Sequence, residues 1–106
     1  MATTNSERVQ RALEAVRDGI QDGCSAAWQA KFGDAWAENV HRQNRNAIGQ
    51  PEPTDLAWLL KGMISTWQEV WRERMSVAER GYVSEVLAAR NKWAHQDQFS
   101  TRDTLR

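Results

Sequence analysis

The chain has 106 residues, a length that holds one domain, residues 1–106, and excludes a multi-domain enzyme. Fourteen Lys and Arg balance fourteen Asp and Glu, so no global field draws the protein to DNA or to an anionic membrane, and any anion site has to be local. Hydrophobic residues at 41% and charged residues at 26% suffice for a core and argue against a disordered chain.

Thr4 with Glu7 three residues on reads as a capping box, and Val9, Leu13, Val16 and Ile20 follow at steps of four and three, which predicts a first amphipathic helix. Asp22 and Gly23 are expected to end it. Cys24 to Phe32 then makes a short second helix, closed by Gly33 as a left-handed cap. A third opens at Asp34, turns Trp36 and Val40 inward and dissolves in the polar run 42–50, with Pro51 and Pro53 marking a loop. From the N-cap Asp55, the positions Leu56, Leu59, Leu60, Met63, Ile64, Trp67, Val70 and Trp71 predict the strongest helix of the chain over more than four turns. Ser76 with Glu79 is a second capping box, opening a helix that runs to about His95. Ser100 and Asp103 start a last one of barely two turns, too short to stand alone, as in a domain cut from a longer protein. No stretch alternates with period two, so the expected class is all-α: an up-and-down bundle of five to six helices, the last one short.

The longest apolar run, Leu56 to Leu60, is far below the ~18–20 residues of a membrane helix, and the polar start carries no secretory signal. The expectation is a cytoplasmic protein with no membrane partner. Cys24 has only His41 and His95 for company, which gives neither a disulfide framework nor a zinc set; no metal or cofactor is expected. Six tryptophans stand out, as does the choice of Arg for eleven of the fourteen basic positions. Flat rings and guanidinium forks suit phosphate and base recognition and equally suit protein interfaces.

Arg90 falls near the middle of an apolar face made by Tyr82, Val83, Val86, Leu87, Trp93 and Ala94. A guanidinium there needs a carboxylate, with Glu38, Glu69 and Glu73 as candidates, or a polar interface, or a ligand phosphate. His95 closes the string Arg90-Asn91-Lys92-Trp93-Ala94-His95, where the C-terminal end of a helix favours a histidine. Five steps of an α-helix turn 500°, so Arg90 and His95 stand about 140° apart. Either the helix ends or bulges before His95, or each residue works with the other's copy across a twofold axis. Trp58 lies about 170° from the main stripe of its helix, beside Lys61, Gly62 and Ser65. It is expected to be exposed, as a partner or dimer contact, unless the third helix covers it. The stretch 41–46, with Arg42 and Arg45, is either a solvated loop or a strip that tracks an RNA backbone.

Taken together, Asp55-Leu56-Ala57-Trp58-Leu59-Leu60-Lys61, Trp67-Gln68-Glu69-Val70-Trp71-Arg72, Glu79-Arg80, Ser84-Glu85 and the string from Arg90 to Gln96 resemble the HEPN superfamily, as does Lys31-Phe32-Gly33-Asp34-Ala35-Trp36 near the front. The resemblance is closest to the branch found beside a PIN-type nuclease in a eukaryotic nuclear RNA-quality factor and at the N-termini of large bacterial ATPases and helicases. It implies a helical bundle that forms a homodimer with a shared cleft, and in many members a metal-independent endoribonuclease acting in defence or RNA surveillance. In that chemistry the ribose 2′-hydroxyl attacks the neighbouring phosphorus to leave a 2′,3′-cyclic phosphate, so RNA is cut and DNA is not. The carry-over gives Arg90 the growing phosphate charge, His95 the proton transfers and Asn91 the orientation of the imidazole, with Lys92 beside them on RNA and Trp93 at the interface. The alternative is a non-catalytic dimerisation or docking module of a larger ATPase or helicase, binding RNA, nucleotide or protein. Two departures limit the match: Asp97 stands where one branch has a nucleotide-accepting Tyr, and the last helix is short.

Overall fold

The computed structural model describes the backbone of residues 5–44 and 47–105 and the side chains of residues 7–44 and 47–94. Among these residues there is no strand, and the chain is all-α. Helix α1 spans Asn5–Phe32, a 3-10 turn covers Gly33–Ala35, α2 spans Trp36–Gln43, α3 spans Leu56–Ser65, a π-helical turn covers Trp67–Trp71, and α4 spans Val77–Leu105.

The four helices are fewer than the five to six expected, because two predicted breaks are absent. Gly23 sits inside α1, which runs unbroken for 28 residues. A mid-helix glycine costs about 1 kcal/mol relative to alanine, whereas burying one tryptophan side chain returns about 4–6 kcal/mol. The buried face continues across Gly23 in register, from Leu13, Val16 and Ile20 to Cys24, Ala27 and the fully buried Trp28, so the helix continues too. Likewise α4 passes through residues 95–100 as one helix of 29 residues, in place of a stop near His95 and a restart at Ser100.

The remaining signals act as their chemistry requires. Gly33 has φ +77°, the left-handed conformation that ends α1. Asp55 Oδ2 accepts from the Trp58 amide at 3.0 Å and caps α3. The Ser76 amide donates to Glu79 Oε1 at 2.9 Å, and the Glu79 amide donates to Ser76 Oγ at 3.1 Å, a reciprocal capping box at the start of α4. Thr4, of the other capping box, lies outside the described residues.

α3 is the centre of the bundle. Leu56 to Leu60 are all buried, together with Gly62 and Met63, because α3 packs against α1, α2 and α4 at once. Trp28 of α1 is the hub of the aromatic core: it stacks on Trp36 at 5.8 Å between centroids and meets Trp58 and Trp71 edge-on at 5.7 and 5.8 Å. Its Nε1 donates to Thr66 Oγ1 at 2.9 Å, and that hydroxyl donates to the Gly62 carbonyl at 2.7 Å. Beyond Thr66 the expected continuous helix widens: the Arg72 amide reaches back five residues to the Trp67 carbonyl at 2.8 Å. The wide turn brings Trp67, Val70 and Trp71 all into the core. The indole nitrogen of Trp71 is buried there with no partner among the described residues.

Gly62 is where the helices come closest. A Cβ at this position would meet Val40 Cγ1 at 2.7 Å and two Trp28 ring carbons at 3.1 Å, whereas one at Gly19 on α1 would meet nothing within 4 Å. Gly62→Ala is therefore expected to destabilise the fold by about 1–3 kcal/mol, and Gly19→Ala to stabilise it by about 0.5–1 kcal/mol. Urea midpoints of the two variants beside the parent check both signs.

Candidate functional site

The N-terminus of α3 lies between two open clefts that share Asp55. The first, of about 190 Å³, is walled by Gln10, Leu13, Glu14 and Arg17 of α1, by Thr54 to Leu56, and by Arg90 and Trp93 of α4. Arg90 is held here because α4 turns its apolar face, with Val83 buried and Val86 and Leu87 half-buried, onto the core. That leaves the guanidinium at the rim, its side chain 32% exposed. The carboxylate it faces is Asp55 rather than Glu38, Glu69 or Glu73: Arg90 Nη2 stands 3.9 Å from Asp55 Oδ1. That is about 1 Å longer than a charge-assisted hydrogen bond, so the ion pair is loose and the guanidinium stays open to the cleft. Arg90 Nη1 also lies 3.5 Å from Asn91 Oδ1, a marginal contact between neighbours. Across the cleft, Arg17 donates to the adjacent Asp18 at 3.1 Å. Two cations and two carboxylates, Arg17 and Arg90 with Glu14 and Asp55, thus line the same opening.

Among the other sequence-predicted residues, Asn91 and Lys92 are exposed on α4 beside Arg90, and Arg42 is exposed at the end of α2. Arg42 lines neither cleft. Trp93 is half-buried and forms part of the Arg90 cleft. Arg45 and the side chain of His95 lie outside the described residues. The backbone of α4 is helical through residue 95, which removes a helix end or bulge before His95 as the way to bring the two residues onto one face.

For Trp58 the structure takes the second of the two expectations, cover by the helix that precedes it, and corrects the first, an exposed partner or dimer contact. Trp58 is 6% exposed and belongs to the core, because α2 lies over the face of α3 that a helical wheel assigns to solvent. Its Nε1 donates to His41 Nδ1 at 2.9 Å, and the imidazole stacks along the indole with an interplanar angle of 19°. Gly62, the small neighbour, is what admits Val40 of α2 so closely. A residue covered by its own chain offers no contact to a partner.

His41 is the residue that sequence reasoning placed in a basic loop and the structure places in a bonded position. Its Nε2 lies 3.1 Å from the Gly49 carbonyl, in a loop turned by Gly49 at φ +72°. An indole N–H only donates and a carbonyl only accepts, so in this pair of contacts Nδ1 accepts and Nε2 donates. With both nitrogens engaged, His41 is a brace between α2, α3 and the loop. The pairing of a buried Trp58 with a His seventeen residues earlier leaves no periodic trace in the sequence.

Cys24 offers no nucleophile. It is 2% exposed, and burial pushes its thiol up to about 12, so thiolate is negligible at neutral pH. Among the described residues no three His, Cys, Asp or Glu side chains gather as a metal site, and no helix is long and apolar enough to cross a membrane. In the native protein Cys24 is expected to resist a thiol-specific reagent at pH 8 and to react fully once urea unfolds the chain. Rapid native labelling would contradict its burial.

No curated protein and no solved structure gave a significant match. The model of one protein family, described as Swt1-like HEPN, matches residues 11–106. That span takes in most of α1, the whole of α2, α3 and α4, and every lining residue of the Arg90 cleft except Gln10. On this match over nearly its whole length, the chain belongs to the Swt1-like HEPN family.

Proposed function

We propose that the protein is a HEPN-type metal-independent endoribonuclease, with Arg90 and His95 as its catalytic pair and Asn91 in support. The observation that carries this reading is the state of Arg90: a guanidinium at the rim of a cleft, held by one carboxylate contact of 3.9 Å and open to that cleft. At a position a third exposed, an ion pair of this length adds little to the stability of the fold. Arg90 instead keeps N–H groups available for phosphate oxygens, and a guanidinium stabilises charge that grows on phosphorus without itself exchanging protons. Trp93 in the same cleft and Lys92 next to it offer apolar and cationic surface for a nucleotide chain.

The unbroken helix through residue 95 favours a composite site, in which Arg90 of one subunit works with the partner's His95 across a twofold axis. In that site the imidazole takes the proton of the 2′-hydroxyl, the oxygen attacks the adjacent phosphorus as the bond to the 5′-oxygen breaks, and the imidazolium so formed returns the proton to the departing 5′-oxygen. A second reading, a non-catalytic docking module of a larger ATPase or helicase, is favoured by one observation: Glu14 and Asp55 place two carboxylates beside the two cations of the cleft, in a chain of zero net charge.

Incubation with end-labelled single-stranded RNA in EDTA tests the reading. Cleavage to 2′,3′-cyclic phosphate ends is expected from the parent, with a loss of about 100-fold or more in Arg90→Ala and in His95→Ala. Mixing these two inactive single variants is expected to restore part of the activity, because a mixed dimer holds one intact Arg90 and one intact His95 in the same composite site. An intact dimer that binds RNA without cutting it would point to the docking module instead.

A further inference from the structure

Asp55 is held by both bonds of an N-cap and by one more from the turn before it. Its amide donates to the Glu52 carbonyl at 2.9 Å, its carbonyl accepts from the Leu59 amide at 3.0 Å, and its Oδ2 accepts from the Trp58 amide at 3.0 Å. Two of these bonds hold the backbone and the third holds Oδ2, which leaves Oδ1 turned outward from the helix end. That oxygen faces Arg90 Nη2 at 3.9 Å. Capping uses one oxygen only, and an asparagine side chain would do it equally well. The second oxygen is therefore the feature that distinguishes Asp from the other good caps at this position. An arginine side chain carries large rotameric freedom, and a carboxylate anchored on a helix terminus is a rigid reference for it.

We infer that Asp55 is a positioning residue for Arg90, aiming the guanidinium into the cleft through Oδ1 while its Oδ2 caps α3; the inference rests on the proposed role of Arg90 with RNA. The long contact suits this role, since a phosphate can take over the guanidinium without having to break a short ion pair. The carboxylate also repels the phosphate it helps to receive, so its two effects on the reaction have opposite signs. Removing the charge is expected to tighten ground-state binding and to slow the chemical step, in which orientation matters more.

Asp55→Asn and Asp55→Ala separate these effects from capping. Asp55→Asn is expected to keep the parent melting temperature, to bind a 2′-O-methyl oligoribonucleotide about 3-fold more tightly and to cleave RNA with kcat lowered about 10-fold. Asp55→Ala is expected to show the same kinetic changes and, in addition, a melting temperature lower by about 5 °C from the lost cap. Side-chain nitrogen NMR gives a readout independent of activity: rotation of the Arg90 guanidinium about its Nε–Cζ bond is expected to be slower in the parent than in Asp55→Asn. Equal rotation rates, or a kcat unchanged in Asp55→Asn, would overturn the positioning role and leave Asp55 a helix cap. If Arg90→Ala alters neither RNA binding nor cleavage, the reading of the cleft itself fails, which is a different result from an inert Asp55→Asn beside a damaging Arg90→Ala.

Discussion

The hydrogen bond from Trp28 Nε1 to Thr66 Oγ1 is the contact on which the rest of the arrangement depends. Both partners are fully buried, so loss of Thr66 would leave the indole N–H with neither water nor a partner. Thr66 also donates to Gly62, and Gly62 is the point where a single added methyl group would collide with Val40 and Trp28. One short segment, 62–66, therefore sets the distance of α1 and α2 from α3 and starts the wide turn that seats Trp67 and Trp71. With α3 enclosed on three sides, its N-terminus emerges at a defined place, and Asp55 emerges with it. The Arg90 cleft inherits its geometry from this core.

Much of this architecture is legible in the residues themselves. The caps at Asp55 and Ser76, the left-handed Gly33 and the apolar stripe from Leu56 to Trp71 are local signals, and local chemistry decides them. The two misplaced breaks share a cause. Gly23 is a weak helix breaker, and its effect is outweighed by a tertiary contact, the burial of Trp28, that no window around Gly23 reveals. The π turn is hidden for the same reason: a stripe of Trp67, Val70 and Trp71 fits an α-helix on paper, and only packing against Trp28 selects the wider turn.

The site divides along the same line. Arg90 is visible from sequence because a charge on an apolar face is anomalous within its own helix. Asp55, thirty-five residues away, is visible only as a cap, and its contact with Arg90 follows from which helix comes to lie beside it. Trp58 misleads for a related reason, since a helical wheel assumes one buried side and α3 has none exposed over its first five residues. The six tryptophans, which composition alone leaves open to base recognition, serve the core: all but Trp93 take part in it, and Trp93 stands at the cleft.

The most direct measurement of the central claim, that the Arg90 cleft receives an RNA phosphate, is an NMR titration of the isotope-labelled protein with a short 2′-O-methyl oligoribonucleotide, which cannot be cut. The account predicts shifts that saturate together at the Arg90 side chain, the Trp93 indole, Asp55 and the α1 segment 10–17, with the His41 and Gly49 brace unmoved. Shifts confined to the end of α2 around Arg42, or a spectrum unchanged at saturating RNA, would contradict it.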